Sequence, residues 1–410
     1  MKKLLVFVFL TSLLLRIWFA IGYWGSKQLT HDAQEYLELA KSFNETGRLE
    51  LPERQTNKIE SYGRAPGYPL WLAFLLRISP SLAWLRLAEA LLNLVCTYLF
   101  FSIVREMFGL RAGIIAFVIS SFYIPLIVLA PVLLSENFWL FCMLLSYWFL
   151  WRKHTTFVAT SLINIIAAFG LLGIATLIRP GTVFLLPFYF LWARRKYNIR
   201  SAVLLAGLYF LILIPWNVYL FNKHHRFIFI ASEGGVTLWT GTHSRYSGDG
   251  DLSVNPEVQK EYRKLLESHR NLTAEERADV YTDLAIQNVI KHPVKFIHIE
   301  LKKLIYWILP IGPSVMRMSL LHKVASFLFY LPLLVTAVIG FRRLSPDAKF
   351  FVAGIYASFT IMILVFLPQE RFRIATIDPV LILVSANELA YRFLSFQRSD
   401  DPAKNAIIGV

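Results

Sequence analysis

Cysteine is nearly missing from this chain: of 410 residues only Cys96 and Cys142 carry a thiol. Both lie inside apolar segments, so the loops have no disulfide framework and no redox chemistry follows from the pair. Charge is scarce too, at 17% against the roughly 25% of soluble domains, while 56% of residues are hydrophobic and 15% aromatic. That balance excludes a soluble enzyme and identifies an integral membrane protein. Acidic residues are the scarcer sign, 27 against 42 basic. The basic excess falls in short connections, so the net charge of +15 reads as cytoplasmic anchoring and gives little support to a nucleic-acid partner. The ten-residue alternation of an outer-membrane barrel is also absent, because the apolar stretches reach about 20 residues, enough for a helix to cross hydrocarbon.

These stretches predict an all-α polytopic fold of about ten transmembrane helices, near residues 4–24, 81–104, 110–130, 133–151, 157–178, 180–193, 200–221, 320–341, 348–367 and 373–391. The sixth is short for a span and reads as buried or tilted. Lys and Arg occupy every second connection: Lys2 and Lys3, Arg105 and Arg111, Arg152 and Lys153, Arg194 to Lys196, Arg342 and Arg343, Arg392 and Arg398. By the positive-inside rule both termini are then cytoplasmic. The opening "MKKLLVFVFLTSLLLRIWFA" resembles a signal peptide, but it has no small-residue cleavage site and Arg16 and Trp18 interrupt it, so it reads as an anchor. Residues 1–391 form one transmembrane domain with external segments 25–80 and 222–319, and 392–410 a disordered cytoplasmic tail.

In the first external segment, "LTHDAQEYLELAKSF" predicts a short amphipathic helix with Ala33, Tyr36, Leu37, Ala40 and Phe43 on its apolar side. Asp32 followed by Glu35 is a capping-box pattern, which makes Asp32 the expected N-cap. In the second, "RFIFIASEGGVTLWTG" predicts a hairpin turning at Gly234 and Gly235, and "SGDGD" a tight loop. Two helices follow, the later one opening on a capping box of Thr273 and Glu276. Residues 294–310, with Lys295, His298, Lys302 and Lys303 among apolar residues, predict an amphipathic helix lying on the membrane.

Ionisable residues mark the outer ends of the spans: Arg86, Glu89 and Asn93 in the second, Glu136 in "SENFW", Arg179 in "LIRPG", and the loop "QERFR". At membrane depth such groups are costly and point to function. A salt bridge between Arg86 and Glu89, or arginines snorkelling to lipid phosphates, accounts equally well for any single residue. Convergence of the whole set on one edge is the stronger signal. Arginines grip phosphate by bidentate hydrogen bonds and a carboxylate serves as general base, so the cluster suits a lipid-linked phosphate with a reacting group beside it.

"HDAQEYLELAKSFNETGRL" followed by "YGRAPGYPLWLAFLLRI" resembles the first external loop of the protein O-mannosyltransferase and aminoarabinose-transferase superfamily, membrane glycosyltransferases of the C-type fold. There the pattern is an Asp, a Tyr four residues on, a Gly ending the helix and an Arg-Pro-Pro-Gly-Tyr-Pro-like turn; here Ala65 replaces the first proline. The likeness continues in order through "LLSENFW", "LIRPG", "IPWNVYLF", "GGVTLWTG", "NVIKHPVKFIHIELKKLIYWI" and "ERFRIATIDP". It implies transfer of one sugar from a polyprenyl-phosphate carrier to an acceptor hydroxyl of a lipid, glycan or protein, usually with inversion. The expected setting is the external face of a bacterial or archaeal plasma membrane. Asp32 falls where the family has its catalytic carboxylate, with Glu136 expected to orient the acceptor or a basic neighbour. Arg64, Arg179, Lys302, Arg371 and Arg373 are the expected carrier-phosphate ligands, and His31, Tyr36, Tyr68, Arg86, Glu89 and Glu370 the acceptor or sugar pocket. Ala33 stands where protein O-mannosyltransferases commonly have Glu, which leans away from that branch. Without a large domain after Tyr391, no built-in module for protein acceptors is expected.

Two features imitate other chemistries. Asp249 to Asp251 copies the Asp-x-Asp signature of nucleotide-sugar enzymes, but glycines beside aspartates are ordinary turn chemistry. His31 beside Asp32 does not make a coordination sphere, so neither metal nor other cofactor is expected. The sequons at Asn44 and Asn271 matter only in a secretory pathway. The competing reading is a lipid or glycolipid transporter or flippase, which calls for midplane charges and matched broken helices, whereas these charges gather at one edge.

Overall fold

The computed structural model describes residues 2–52, 59–60, 63–152, 158–250, 252–317 and 320–399. Helix α1 (Lys2–Ile17) continues as a π-helical turn over Trp18–Tyr23. It is followed by α2 (His31–Thr46), a two-residue antiparallel ladder of Leu51–Pro52 with Ile59–Glu60, and α3 (Gly67–Ile78). The bundle continues with α4 (Leu82–Phe108), α5 (Leu110–Phe122), α6 (Ile124–Leu129), α7 (Ser135–Trp151), α8 (Val158–Ile178), α9 (Leu186–Lys196) and α10 (Ile199–His224). A second loop region holds α11 (Gly234–Thr242), α12 (Pro256–Ser268), α13 (Ala274–Lys291), α14 (Pro293–Ile308) and α15 (Pro313–Arg317). Helices α16 (Leu320–Phe341), α17 (Pro346–Val365) and α18 (Glu370–Ser399) close the chain.

Every apolar stretch read as a span is helical, and the protein is an all-α, multi-pass membrane protein. Five helices are long and apolar enough to cross a bilayer: Lys2–Tyr23, Leu82–Phe108, Ile199–His224, Pro346–Val365 and Glu370–Phe393. A sixth crossing is available if α5 and the segment Ile124–Val132, bent by 51°, act as one span. Of the other four stretches of the expected ten, 157–178 and 320–341 hold shorter apolar helices, 133–151 is the 17-residue α7, and 180–193 is a 3-10 turn over Pro180–Leu185 leading into α9. Cys96 and Cys142 are buried among core side chains, as their positions imply. Helix α18 runs on to Ser399, past the expected start of the tail; residues 400–410 lie outside the described residues.

Pro125, with no N–H for the Ser121 carbonyl, stands at the break after α5, and the arginine that interrupts the first apolar stretch accommodates it. Arg16 is 1% exposed, and its guanidinium donates to the carbonyls of Ser120 and Ser121 at 3.2 Å each, to the Ser12 carbonyl at 3.3 Å and side chain, and to Asn93 Oδ1 at 3.0 Å. The last carbonyls of a helix have no partner within it, and in hydrocarbon no water supplies one. Arg16 supplies it for Ser120 and Ser121.

Three readings of the loops change. The N-cap of α2 is Thr30, whose hydroxyl accepts from the Ala33 N–H at 3.3 Å, and not Asp32. With a β-hydroxyl one residue before the helix filling the cap, Asp32 moves into the first turn and its carboxylate is released from capping. The expected hairpin at 234–235 is helix α11, because Trp239 buries against Val258, Tyr281 and Ala285, and this burial outweighs the local turn preference. Gly235 allows that packing: a Cβ there would stand 2.3 Å from the Ala278 carbonyl oxygen. The segment 67–78, placed in a polar loop by sequence, is the apolar helix α3.

Other loop expectations hold. The Thr273 and Glu276 capping box opens α13, and α14 is amphipathic. Ile297, Leu301 and Ile305 of α14 are exposed while Ile299, Lys303 and Trp307 are buried. Lys303 Nζ donates to the Leu364 carbonyl at 2.9 Å and Tyr330 donates to the Ile308 carbonyl at 2.7 Å, which ties α14 to the end of α17 and to the middle of α16.

Candidate active site

Charged residues from six segments meet in one place. Asp32 and Glu136 lie in the first turns of α2 and α7, where the helix dipole favours a carboxylate. Arg179 follows the C-terminus of α8, and Arg371 is the second residue of α18. Arg64 stands in the turn before α3, brought close by Gly67, where a Cβ would lie 2.7 Å from Ile178 Cγ1 and 2.9 Å from the Leu177 carbonyl oxygen. Only glycine lets the start of α3 rest on the end of α8, one residue from Arg179.

Arg64 is the hub. Its Nη2 is 2.6 Å from both Asp32 Oδ1 and Glu35 Oε2, and its Nη1 is 3.0 Å from Glu233 Oε2, at the start of α11. Arg371 Nη2 takes the other oxygen of Asp32 at 2.8 Å, and its Nε is 3.4 Å from Glu136 Oε1. Arg179 Nη1 holds that same Glu136 oxygen at 2.9 Å and donates to Ser135 Oγ at 3.0 Å. Four carboxylates thus face three guanidiniums in one connected network. Aromatic rings floor it: Arg64 lies 5.2 Å from the centre of the Tyr36 ring and Arg179 4.4 Å from that of Phe372.

The charges set the protonation states. Burial alone would raise the Asp32 carboxyl, but the guanidiniums of Arg64 and Arg371 outweigh it and hold its pKa at about 2. Burial likewise disfavours the Arg64 cation, yet Glu233, Tyr36, Asp32 and Glu35 lift its pKa above the ordinary arginine value. At Glu233 burial prevails and the carboxyl is raised, against the pull of Arg64. Asp32 is therefore a firmly ionised carboxylate with both oxygens engaged.

Of the residues singled out in the sequence, Asp32, Glu136, Arg64, Arg179 and Arg371 come together, with Tyr36 beneath them. Tyr68 is buried edge-on to Tyr36 at 5.0 Å. His31 sits at the exposed rim, its Nδ1 3.5 Å from Glu35. Glu89 lies deeper, accepting from Trp71 Nε1 at 2.9 Å and Asn137 Nδ2 at 2.6 Å, and Asn137 follows Glu136 in α7. Arg86 does not pair with Glu89; it donates to the carbonyls of Trp24 and Lys27 and ties down the chain after α1. Arg373 belongs to a separate buried cluster, 3.4 Å from Asp378 and over the Tyr330 ring at 3.7 Å. Glu370 accepts from Ser326 at 2.8 Å, and Lys302 lies under Gly248 on α14. Sequence reasoning missed Glu35 and Glu233 as members of the site. Glu35 sits one turn beyond Asp32 and was legible from helical spacing; Glu233 had no such signal.

His31, Asp32 and Glu35 offer ligand atoms within 4.8 Å of one another, the spacing of a metal-binding group. One oxygen of each of these two carboxylates is held by Arg64 at 2.6 Å, and the second oxygen of Glu35 faces His31. Asp249 is likewise committed: its Oδ2 accepts from the N–H and the hydroxyl of Ser314, both at 2.8 Å, while Asp251 lies outside the described residues.

No family model matches the sequence, and no curated protein matches it. Solved structures do match. The oligosaccharyltransferase of Archaeoglobus fulgidus tethered with an acceptor peptide aligns with 99% of this chain and 52% of its own at 13% identity and a TM-score of 0.58. The same organism's oligosaccharyltransferase AglB, in complex with an inhibitory peptide and a dolichol-phosphate, aligns with 100% of this chain and 52% of its own at 14% identity and a TM-score of 0.55. ArnT from Cupriavidus metallidurans bound to undecaprenyl phosphate aligns with 95% of this chain and 78% of its own at 14% identity, with a TM-score of 0.44. The chain spans about half the length of the oligosaccharyltransferases it matches. Over its whole length, this chain shares the fold of about half of the archaeal oligosaccharyltransferase.

Proposed function

We propose that this protein is a membrane glycosyltransferase that moves a single sugar from a polyprenyl-phosphate carrier to an acceptor hydroxyl of a lipid, glycan or protein on the external face of the membrane. The observation that carries the reading is the Asp32 carboxylate, free of the helix cap and clasped between Arg64 and Arg371 at 2.6 and 2.8 Å. Support also comes from the fold, shared with an oligosaccharyltransferase that was solved with a dolichol-phosphate.

The acceptor oxygen attacks the anomeric carbon as the bond from that carbon to the phosphate oxygen breaks; the leaving phosphate keeps the electron pair, and the acceptor proton passes to Asp32. A carboxylate held at about pKa 2 is a poor base. The donor phosphate competes for the same guanidiniums, and each Arg371 or Arg64 hydrogen bond it takes from Asp32 lets the carboxyl rise toward its ordinary range. Donor binding then creates the base that the reaction needs. Arg371, Arg179 and Arg64 stabilise the charge that grows on the leaving phosphate, and Glu136 keeps Arg179 and Arg371 side by side.

The test is transfer by the purified protein in lipid, with a short-chain polyprenyl-phosphate sugar as donor and candidate acceptors supplied in turn. Release of free polyprenyl phosphate coupled to a glycosylated acceptor, lost in Asp32→Asn, is the expected result. Movement of intact donor across a vesicle membrane without sugar transfer would instead identify a flippase.

A further inference from the structure

The "SGDGD" loop that imitates a metal motif reaches the ion cluster by another route. Gly250 N–H donates to the Pro368 carbonyl at 2.9 Å, and Gln369 Nε2 returns a hydrogen bond to the Gly250 carbonyl at 3.1 Å. Gln369 Oε1 in turn accepts from Arg371 Nε at 2.7 Å, and Arg371 Nη2 holds Asp32. One amide side chain therefore spans two structures, its nitrogen on the loop and its oxygen on the arginine.

The loop itself is rigidly built. Asn255 Nδ2 donates to the Asp249 carbonyl at 3.1 Å, the Ser247 N–H donates to Asn255 Oδ1 at 2.8 Å, and Asp249 is bolted to Ser314 of α15. Gly250 has no room for a side chain: a Cβ would stand 2.2 Å from the Pro368 carbonyl oxygen and 2.5 Å from Gln369 Cγ. An arginine has several rotatable bonds, and fixing it before substrate arrives removes an ordering cost from binding.

From this connection we infer that Gln369 is a positioning residue, and that the 247–250 loop acts through it as a strap holding the Arg371 guanidinium at the site. The inference rests on the reading of Arg371 as a ligand of the donor phosphate for its kinetic consequence, but not for its geometry. The loop aspartate, under this inference, serves the site at a distance as an anchor and not as a metal ligand.

Three variants separate the parts. Gln369→Ala removes both hydrogen bonds, Gln369→Glu keeps an acceptor for Arg371 but loses the donor to Gly250, and Gly250→Ala keeps the glutamine but forces the loop away from Pro368 and Gln369. Donor affinity is measured with a short-chain polyprenyl-phosphate sugar, and the position of Arg371 is read from a cryo-EM map of Gln369→Ala. Loss of a charge-assisted hydrogen bond predicts an increase of about tenfold in KM for donor with kcat changed much less in Gln369→Ala, a similar change in Gly250→Ala, and partial rescue in Gln369→Glu. The Gln369→Ala, Gly250→Ala double variant should be no weaker than Gln369→Ala alone, because both cut the same connection. Wild-type donor affinity in a folded Gln369→Ala protein, or an additive double variant, overturns the strap while leaving the phosphate reading intact. If Arg371→Ala itself binds donor normally, the phosphate reading fails, and the map still decides the strap: Arg371 swung away from Asp32 in Gln369→Ala upholds it, and an unmoved guanidinium refutes it.

Discussion

Arg371 and Asp32, from opposite ends of the chain, meet with Nη2 and Oδ2 2.8 Å apart, while the Nε of the same guanidinium donates to Gln369 Oε1 at 2.7 Å and lies 3.4 Å from Glu136. A cation so engaged is held in place before any substrate binds. If it serves the donor phosphate, Arg371→Ala removes charge-assisted hydrogen bonds of about 1.5–3 kcal/mol, and donor affinity should fall about tenfold or more. Titration of the purified variant with a polyprenyl-phosphate sugar checks this, and unchanged affinity removes Arg371 from the donor site.

Because Thr30 and not Asp32 caps α2, helix stability and chemistry separate cleanly. Thr30→Ala should cost about 1 kcal/mol of stability and leave turnover nearly intact. Asp32→Asn should keep the helix and lose about a hundredfold or more in turnover. Thermal unfolding and single-turnover transfer on both variants give the comparison; near wild-type transfer by Asp32→Asn ends the assignment of Asp32 as base.

The depressed pKa of Asp32 fixes a sign for the effect of acid. The carboxyl sits at about 2 in the fold against an ordinary 3.8, so between those values the unfolded chain binds more protons. The pairing with Arg64 and Arg371 stabilises the fold fully above about pH 4, and that contribution drains away as pH falls through about 2. The gap in unfolding midpoint between wild type and Asp32→Asn should be steady above pH 4 and shrink toward pH 2; a gap that widens in acid contradicts the ion-pair account.

Arg16 offers a stability test away from the chemistry. Arg16→Met takes the guanidinium from the Ser120 carbonyl and leaves the Ser121 carbonyl to the Ser12 hydroxyl alone, and a stranded buried acceptor costs about 1–3 kcal/mol. The unfolding midpoint in detergent should drop markedly. An unaltered midpoint means that the break is satisfied by other groups.

Orientation is open to direct labelling. Ser268, exposed at the end of α12, and Ser345, exposed at the start of α17, fall on opposite sides under the positive-inside reading. Cysteines placed there should react with an impermeant maleimide from outside the cell at 268 and only after lysis at 345. Labelling of both in intact cells excludes that topology.

Composition and the length of the apolar runs determined the helical membrane class, because a backbone in hydrocarbon must satisfy its own hydrogen bonds and these sequences can do so only as helices. Local chemistry also sufficed for the periodicity of α2 and the amphipathic α14 and for the capping box of α13, though the cap of α2 is Thr30 and not the expected Asp32. The family resemblance singled out Asp32, and the charged span ends singled out Glu136, Arg179 and Arg371. Tertiary structure alone decided which of these meet. Arg371 and Arg373 are two positions apart, yet 200° of helix turn sends one to Asp32 and the other to Asp378 and Tyr330, a choice set by what packs around α18. The hairpin that became α11, the entry of Glu233 into the cluster and the grip of Gln369 on Gly250 have the same origin. Each depends on burial and contact between segments far apart in the chain, which no local pattern of residues encodes.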